Sequence, residues 1–143
     1  MGRMKLVIPA ERCWLQVADA TLDSAFQSLG IQAGRRLGFA AREALINALR
    51  IEEESGRTAE SEIEVQVSAE DGWIELRVID NGPGLPEGWQ QTLSGRVAED
   101  SVTSVSGRGL VFIQQFVDEI RSERDADGRH VLIMRKKEGE RKA

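Results

Sequence analysis

Two short stretches of alternating residues constrain this chain more than any other feature. From Ser61 to Ser68, Ile63, Val65 and Val67 fall on one side and Glu62, Glu64 and Gln66 on the other. From Trp73 to Ile79 the alternation repeats, with Ile74, Leu76 and Val78 on the inward side. A period of two places successive side chains on opposite faces of a pleated strand. Between the two runs lies Glu70-Asp71-Gly72, a turn signal. The pair reads as an antiparallel hairpin with one buried face, and that face needs a covering layer.

The rest of the chain supplies the cover. From about Glu11 to Leu29, Leu15, Ala18, Leu22, Ala25 and Leu29 recur at spacings of three and four, the apolar face of a helix, and Gly30 follows as a stop. A second helix runs from about Ala33 to Glu54, with Leu37, Ala41, Ala44, Leu45 and Ala48 as its stripe. A third opens at Gly107-Arg108-Gly109 and contains Leu110, Ile113, Phe116 and Val117. Met4 to Ile8, ending at Pro9, suits an edge strand. Two last strands, about Glu119 to Arg124 and Arg129 to Arg135, flank Asp125-Ala126-Asp127-Gly128. The expected fold is an α+β two-layer sandwich with helices on one face of a mixed, mostly antiparallel sheet. With 143 residues and no dividing linker it reads as one domain over 1–143, with a flexible basic tail from about 137.

Charge narrows the function classes. The net charge is −5, acidic and basic residues are mixed, and no basic stripe offers a footprint for direct nucleic-acid binding. No apolar run approaches a membrane span or a signal peptide, so a cytoplasmic protein is expected, with no membrane partner. The single cysteine, Cys13, allows no intrachain disulfide and reads as a small apolar residue at a helix start.

Three groups of residues could carry chemistry. Asp80-Asn81-Gly82-Pro83-Gly84 follows a buried strand. A buried aspartate there can accept a hydrogen bond from an exocyclic amine, which adenine offers and guanine at the same edge does not. The glycines let the backbone approach a ligand closely; the plain alternative is a turn. Gly107-Arg108-Gly109 opens a helix, where free amides and the dipole favour a phosphate, or it is a simple junction. Glu43 and Asn47, four apart, stack on one flank of the second helix. Asn47 offers an oxygen of the kind Mg²⁺ takes, and Glu43 a carboxylate able to accept a proton from a hydroxyl. An ordinary amphipathic helix would also account for both.

In sequence order, these groups resemble the GHKL (histidine-kinase-like) ATPase superfamily. Arg42 to Ala48 looks like its N box, Val78 to Leu85 like its first glycine box, and Ser106 to Leu110 like its second. The polar stretch Leu85 to Ser106 takes the place of a lid. The length, the single histidine and the absence of a preceding dimerising helix make the anti-sigma-factor serine/threonine kinases the nearest resemblance; Phe116 to Ile120 is similar to theirs. That resemblance implies an ATP-binding regulatory factor that phosphorylates a STAS-type anti-anti-sigma protein and sequesters a sigma factor, with ATP and Mg²⁺ as cofactors. Relatives pair through their sheets, which makes a homodimer an expectation by resemblance. Glu43 would be the catalytic base and Asn47 the Mg²⁺ ligand. Asp80 would read adenine, Gly82 and Gly84 would shape its pocket, and Gly107, Arg108, Gly109 and Leu110 would border the phosphates.

The chain departs from the family's pattern twice. After Asn47, where relatives carry a short His-containing stretch, the chain reads Ala48 to Glu54, and its closing Glu52-Glu53-Glu54 reads as a solvated helix end, the alternative being an effect on Mg²⁺ or phosphate affinity. The last strand begins Gly128-Arg129-His130 in place of Gly-Thr, whose hydroxyl supports the adenine-reading aspartate. His130 is read as a surface strand residue. This departure keeps a second reading open, a non-catalytic protein-binding module with vestigial nucleotide binding. A third reading is an auxiliary ATP-binding domain for a histidine-kinase-like pathway.

Overall fold

The computed structural model describes residues 2–56, 60–85, 88–90 and 105–138, with side chains in the last stretch from Leu110 onward. Its centre is the expected hairpin. β2 (Glu62–Glu70) and β3 (Trp73–Asp80) pair antiparallel, from Glu64 opposite Ile79 to Glu70 opposite Trp73. Asp71 and Gly72 turn the chain with φ of 52° and 81°. Positive φ at both positions gives a two-residue turn the twist that its strands need. β1 (Gly2–Pro9) joins β2 as an edge strand. β4 (Glu119–Arg124) and β5 (His130–Lys137) form a second hairpin.

The five-stranded sheet has the order β1-β2-β3-β5-β4. Every described pairing is antiparallel, so the sheet lies at the antiparallel end of the expectation. The topology explains this. The chain leaves β3 through a helix and reaches β4 at the far edge, and β5 then returns between the two.

α1 (Leu15–Ser28), α2 (Gly34–Ser55) and α3 (Val105–Gln114) cover one face, with α2 central and touching the other two. Leu37, Ala41, Ala44, Leu45 and Ala48 of α2 are all buried, as their spacing predicts, against inward residues of β2, β3 and β5. α2 ends at Gly56, whose φ of 74° supplies the left-handed residue that closes many helices. Its entry is held from the other end of the fold: the Glu138 carboxylate accepts the amides of Gln32 and Ala33 at 3.2 and 3.3 Å.

Three expectations need correction. α1 buries Ala18, Leu22 and Phe26, whereas Leu29 is 62% exposed. The helix stops at Ser28 and Gly30 turns the chain at φ 66°, so the apolar stripe shifts onto Phe26 before it reaches Leu29. Burying a side chain of this size contributes roughly 1.5–3 kcal/mol. Cys13 does stand at the start of α1, in a short 3-10 turn, Arg12–Trp14, but it is exposed. The third helix begins at Val105, two residues before its first glycine. Of the stretch read as a lid, Leu85 and Trp89 pack against the core; most of the remainder, and the tail beyond Glu138, lie outside the described residues. Among the described residues, no helix is long and apolar enough to cross a membrane.

Candidate functional site

The site gathers where β3 ends. Asp80 is the last residue of β3, on the same side as Ile74, Leu76 and Val78, and is 3% exposed. The chain then bends back over the carboxylate, and the Gly82 amide donates to Asp80 Oδ1 at 2.7 Å. A side chain at position 82 could not be accommodated, since its Cβ would overlap Ile51 Cγ2 and lie 2.8 Å from Asp80 Oδ1. Gly84 has φ of 88°, and a Cβ there would lie 3.2 Å from His130 Cδ2. Both glycines are therefore demanded by packing and backbone geometry.

Two neighbours pin this loop from opposite sides. On the helix side, Glu52 Oε1 accepts the Asn81 amide at 3.1 Å. The reading of Glu52-Glu53-Glu54 as a solvated helix end holds for Glu53 and Glu54 but fails for Glu52, which is fully buried. Glu52 lies on the inner face of α2 and its carboxylate meets a loop amide. On the sheet side, Arg124 at the end of β4 donates to the carbonyls of Gly82 (3.1 Å), Pro83 and Gly128.

His130 is also corrected: it is 4% exposed and faces the site. It stands opposite Asp80 across the β3–β5 ladder, on the inward side with Leu132 and Met134. Its Nδ1 lies 3.4 Å from Asp80 Oδ2 and its Nε2 2.8 Å from Ser122 Oγ. The period of two along β5 puts His130 on the same face as Leu132 and Met134, which turns the ring inward.

Glu43 and Asn47 are both partly buried on α2. Ile51, four residues beyond Asn47, is the residue that touches Gly82. Residues at i, i+4 and i+8 form one row, rising about 6 Å per step. Starting from the Asp80 loop, the row passes Asn47 and then Glu43. Gly107 and Gly109 lie in the first turns of α3, which packs on α2, and Leu110 is buried in the core. The Arg108 side chain lies outside the described residues. Arg124 and Ser122 carry no signal in the sequence, and Glu52 stands out there only as part of an acidic helix end. Arg124 and Ser122 occupy a strand with no motif, and only the inward helical position of Glu52 could have marked it.

The histidine kinase-like ATPase domain family matches residues 10–136, and the chain belongs to it. A curated relative, an NtrY-like sensor histidine kinase of Rickettsia felis, is 38% identical over 81 residues, covering 54% of this chain and 13% of that protein. The RsbU and RsbW domains of Rv1364c from Mycobacterium tuberculosis have a similar fold, with a TM-score of 0.66 at 15% identity over 96% of this chain and 33% of theirs. The SiaB–SiaC complex from Pseudomonas aeruginosa gives a TM-score of 0.61 at 13% identity, over 93% and 88%. The chain thus spans a small part of the curated relative and a third of the mycobacterial chain.

The donor groups fit the nucleotide this family implies. A buried carboxylate that accepts the Gly82 amide offers further acceptor positions, which suits an exocyclic amine. The Asn47 side chain adds a hard oxygen of the kind Mg²⁺ accepts beside phosphate oxygens.

Proposed function

We propose that the chain is an ATP-dependent protein kinase of the anti-sigma type. It would phosphorylate a serine or threonine on a STAS-type partner and hold a sigma factor inactive, in the cytoplasm and as a homodimer paired through its sheet. The row on α2 carries this reading: Glu43 and Asn47 lie in line with the Asp80 loop, the order needed for adenine, phosphates and acceptor. Bound ATP supplies the transferable phosphoryl group. Asp80 accepts from the adenine amine while Gly82 and Gly84 let the backbone close on the base. Asn47 holds the Mg²⁺, and Gly107, Arg108, Gly109 and the Leu110 amide border the phosphates. Glu43 takes the proton from the attacking hydroxyl, and positioning and charge neutralisation do most of the rest.

A protein acceptor is supported by a surface beside this row. Phe39 lies one turn before Glu43 on α2, half-exposed and stacked on Phe116 at 5.6 Å, and Phe116 in turn stacks on half-exposed Phe112 at 6.1 Å. Exposed aromatic clusters of this kind are favoured where proteins meet.

The test is phosphate transfer from labelled ATP to a co-expressed STAS protein, compared between wild type and Glu43→Gln. Loss of a general base costs about 10²–10⁴ in rate, so transfer should fall by at least a hundredfold while ATP binding stays within about twofold. Equal transfer by both forms would remove Glu43 from the chemistry.

The relationship to a sensor histidine kinase favours a second reading, an ATP-binding part of a pathway whose acceptor is a histidine on another protein. The chemistry of the product separates the two. Phosphoserine and phosphothreonine survive acid, whereas phosphohistidine does not. The non-catalytic reading drew on the missing Gly-Thr hydroxyl, and the His130–Asp80 contact weakens that ground.

A further inference from the structure

We propose that His130 is a positioning residue that sets the base specificity of the nucleotide site by fixing the Asp80 carboxylate as a pure acceptor. The inference rests on the reading of Asp80 as the adenine contact.

Asp80 and His130 side chains are 4% and 5% exposed, and both carboxylate oxygens face protein donors. The Gly82 amide supplies one at 2.7 Å and His130 Nδ1 the other at 3.4 Å. In this proposal Nδ1 carries the hydrogen of the contact and the carboxylate oxygen accepts it. The ring's far nitrogen then meets Ser122 Oγ at 2.8 Å, and the hydroxyl can rotate to donate to it. The backbone adds to the selection. Asp80 and His130 are direct partners across two paired strands, and Gly84 leaves the space that the imidazole edge fills.

The consequence is chemical. Held between an amide and an imidazole N–H, Asp80 keeps lone pairs for a ligand and offers no donor. A 6-amino purine satisfies it, and a 6-oxo purine meets acceptor against acceptor. Without the imidazole, the carboxylate loses one of its two fixed donors. It can then rotate, which weakens the preference for an amine.

Because the effect runs through the 6-amino group, it can be separated from simple loss of structure. Binding of ATP and of purine riboside triphosphate, which lacks that amine, would be measured by calorimetry on wild type, His130→Ala and His130→Asn. The asparagine retains an N–H donor near the position of Nδ1. Wild type should prefer ATP. His130→Ala should lose about tenfold or more for ATP and less than about twofold for the analogue, a tenfold loss corresponding to about 1.4 kcal/mol. His130→Asn should recover most of the ATP affinity. Should the alanine variant not fold, Ser122→Ala is read the same way and should show a smaller loss confined to ATP. Equal losses for both nucleotides, or no loss, would overturn the proposal while the nucleotide site stands. A wild type that binds neither nucleotide would overturn the adenine reading and this inference together.

Discussion

A methyl group at position 82 would overlap Ile51 Cγ2, whereas one at position 38 would meet nothing within 4 Å. The two glycines therefore make opposite predictions. Gly82→Ala should destabilise by about 1–3 kcal/mol, the usual range for forced overpacking. Gly38→Ala, inside α2, should stabilise by about 0.5–1 kcal/mol through helix propensity. Thermal unfolding of both variants checks this, and a gain from Gly82→Ala would contradict the packing described for the loop. The same scale shows what the sequence could tell. Asp80, Gly82 and Gly84 were legible because the loop is contiguous, with a carboxylate and glycines in fixed order. Arg124 and His130 reach the loop from a hairpin some forty to fifty residues later, through a register that one residue's shift would invert. No local pattern announces such contacts.

At the scale of elements, the open end of the β4–β5 hairpin is closed by more than its ladder. Asp118, just before β4, accepts the Lys137 amide at 2.7 Å and the Lys136 ammonium at 3.3 Å. The Lys137 amide, ahead of the nearby lysine charges, holds its carboxyl below the ordinary range against a smaller opposing effect of burial. Because the folded value is the lower one, ionised Asp118 stabilises the fold above the unfolded value of about 3.9. That contribution is lost as pH falls through the folded value. The side chain is 42% exposed, so the effect should stay below about 1 kcal/mol. Asp118→Asn should therefore melt lower than wild type at pH 7, with the gap closing towards pH 3. A gap unchanged across that range would show that Asp118 acts through something other than its charge. The order of elements was readable from periodicity together with the Pro and Gly signals that bound the segments. The ends were less so: α1 exchanged Leu29 for Phe26 because the helix stops a residue early, which an apolar stripe does not record.

For the molecule as a whole, α2 connects the parts. Its inner face fills the core against the sheet, Ile51 and Glu52 meet the Asp80 loop, and the row from Ile51 through Asn47 to Glu43 runs back along its flank. Helix, loop and second hairpin thus meet at one aspartate, and a ligand that engages Asp80 should stabilise all three together. The most direct test is thermal unfolding with excess Mg-ATP, Mg-ADP or Mg-GTP, for wild type and Asp80→Asn. A ligand at a hundredfold its dissociation constant adds about 2.7 kcal/mol to the native state, which a melting curve resolves. Adenine nucleotides should raise the wild-type midpoint by several degrees, GTP should leave it unchanged, and Asp80→Asn should respond to none of them. Unchanged midpoints throughout, or equal stabilisation by GTP, would contradict an adenine-nucleotide site at Asp80.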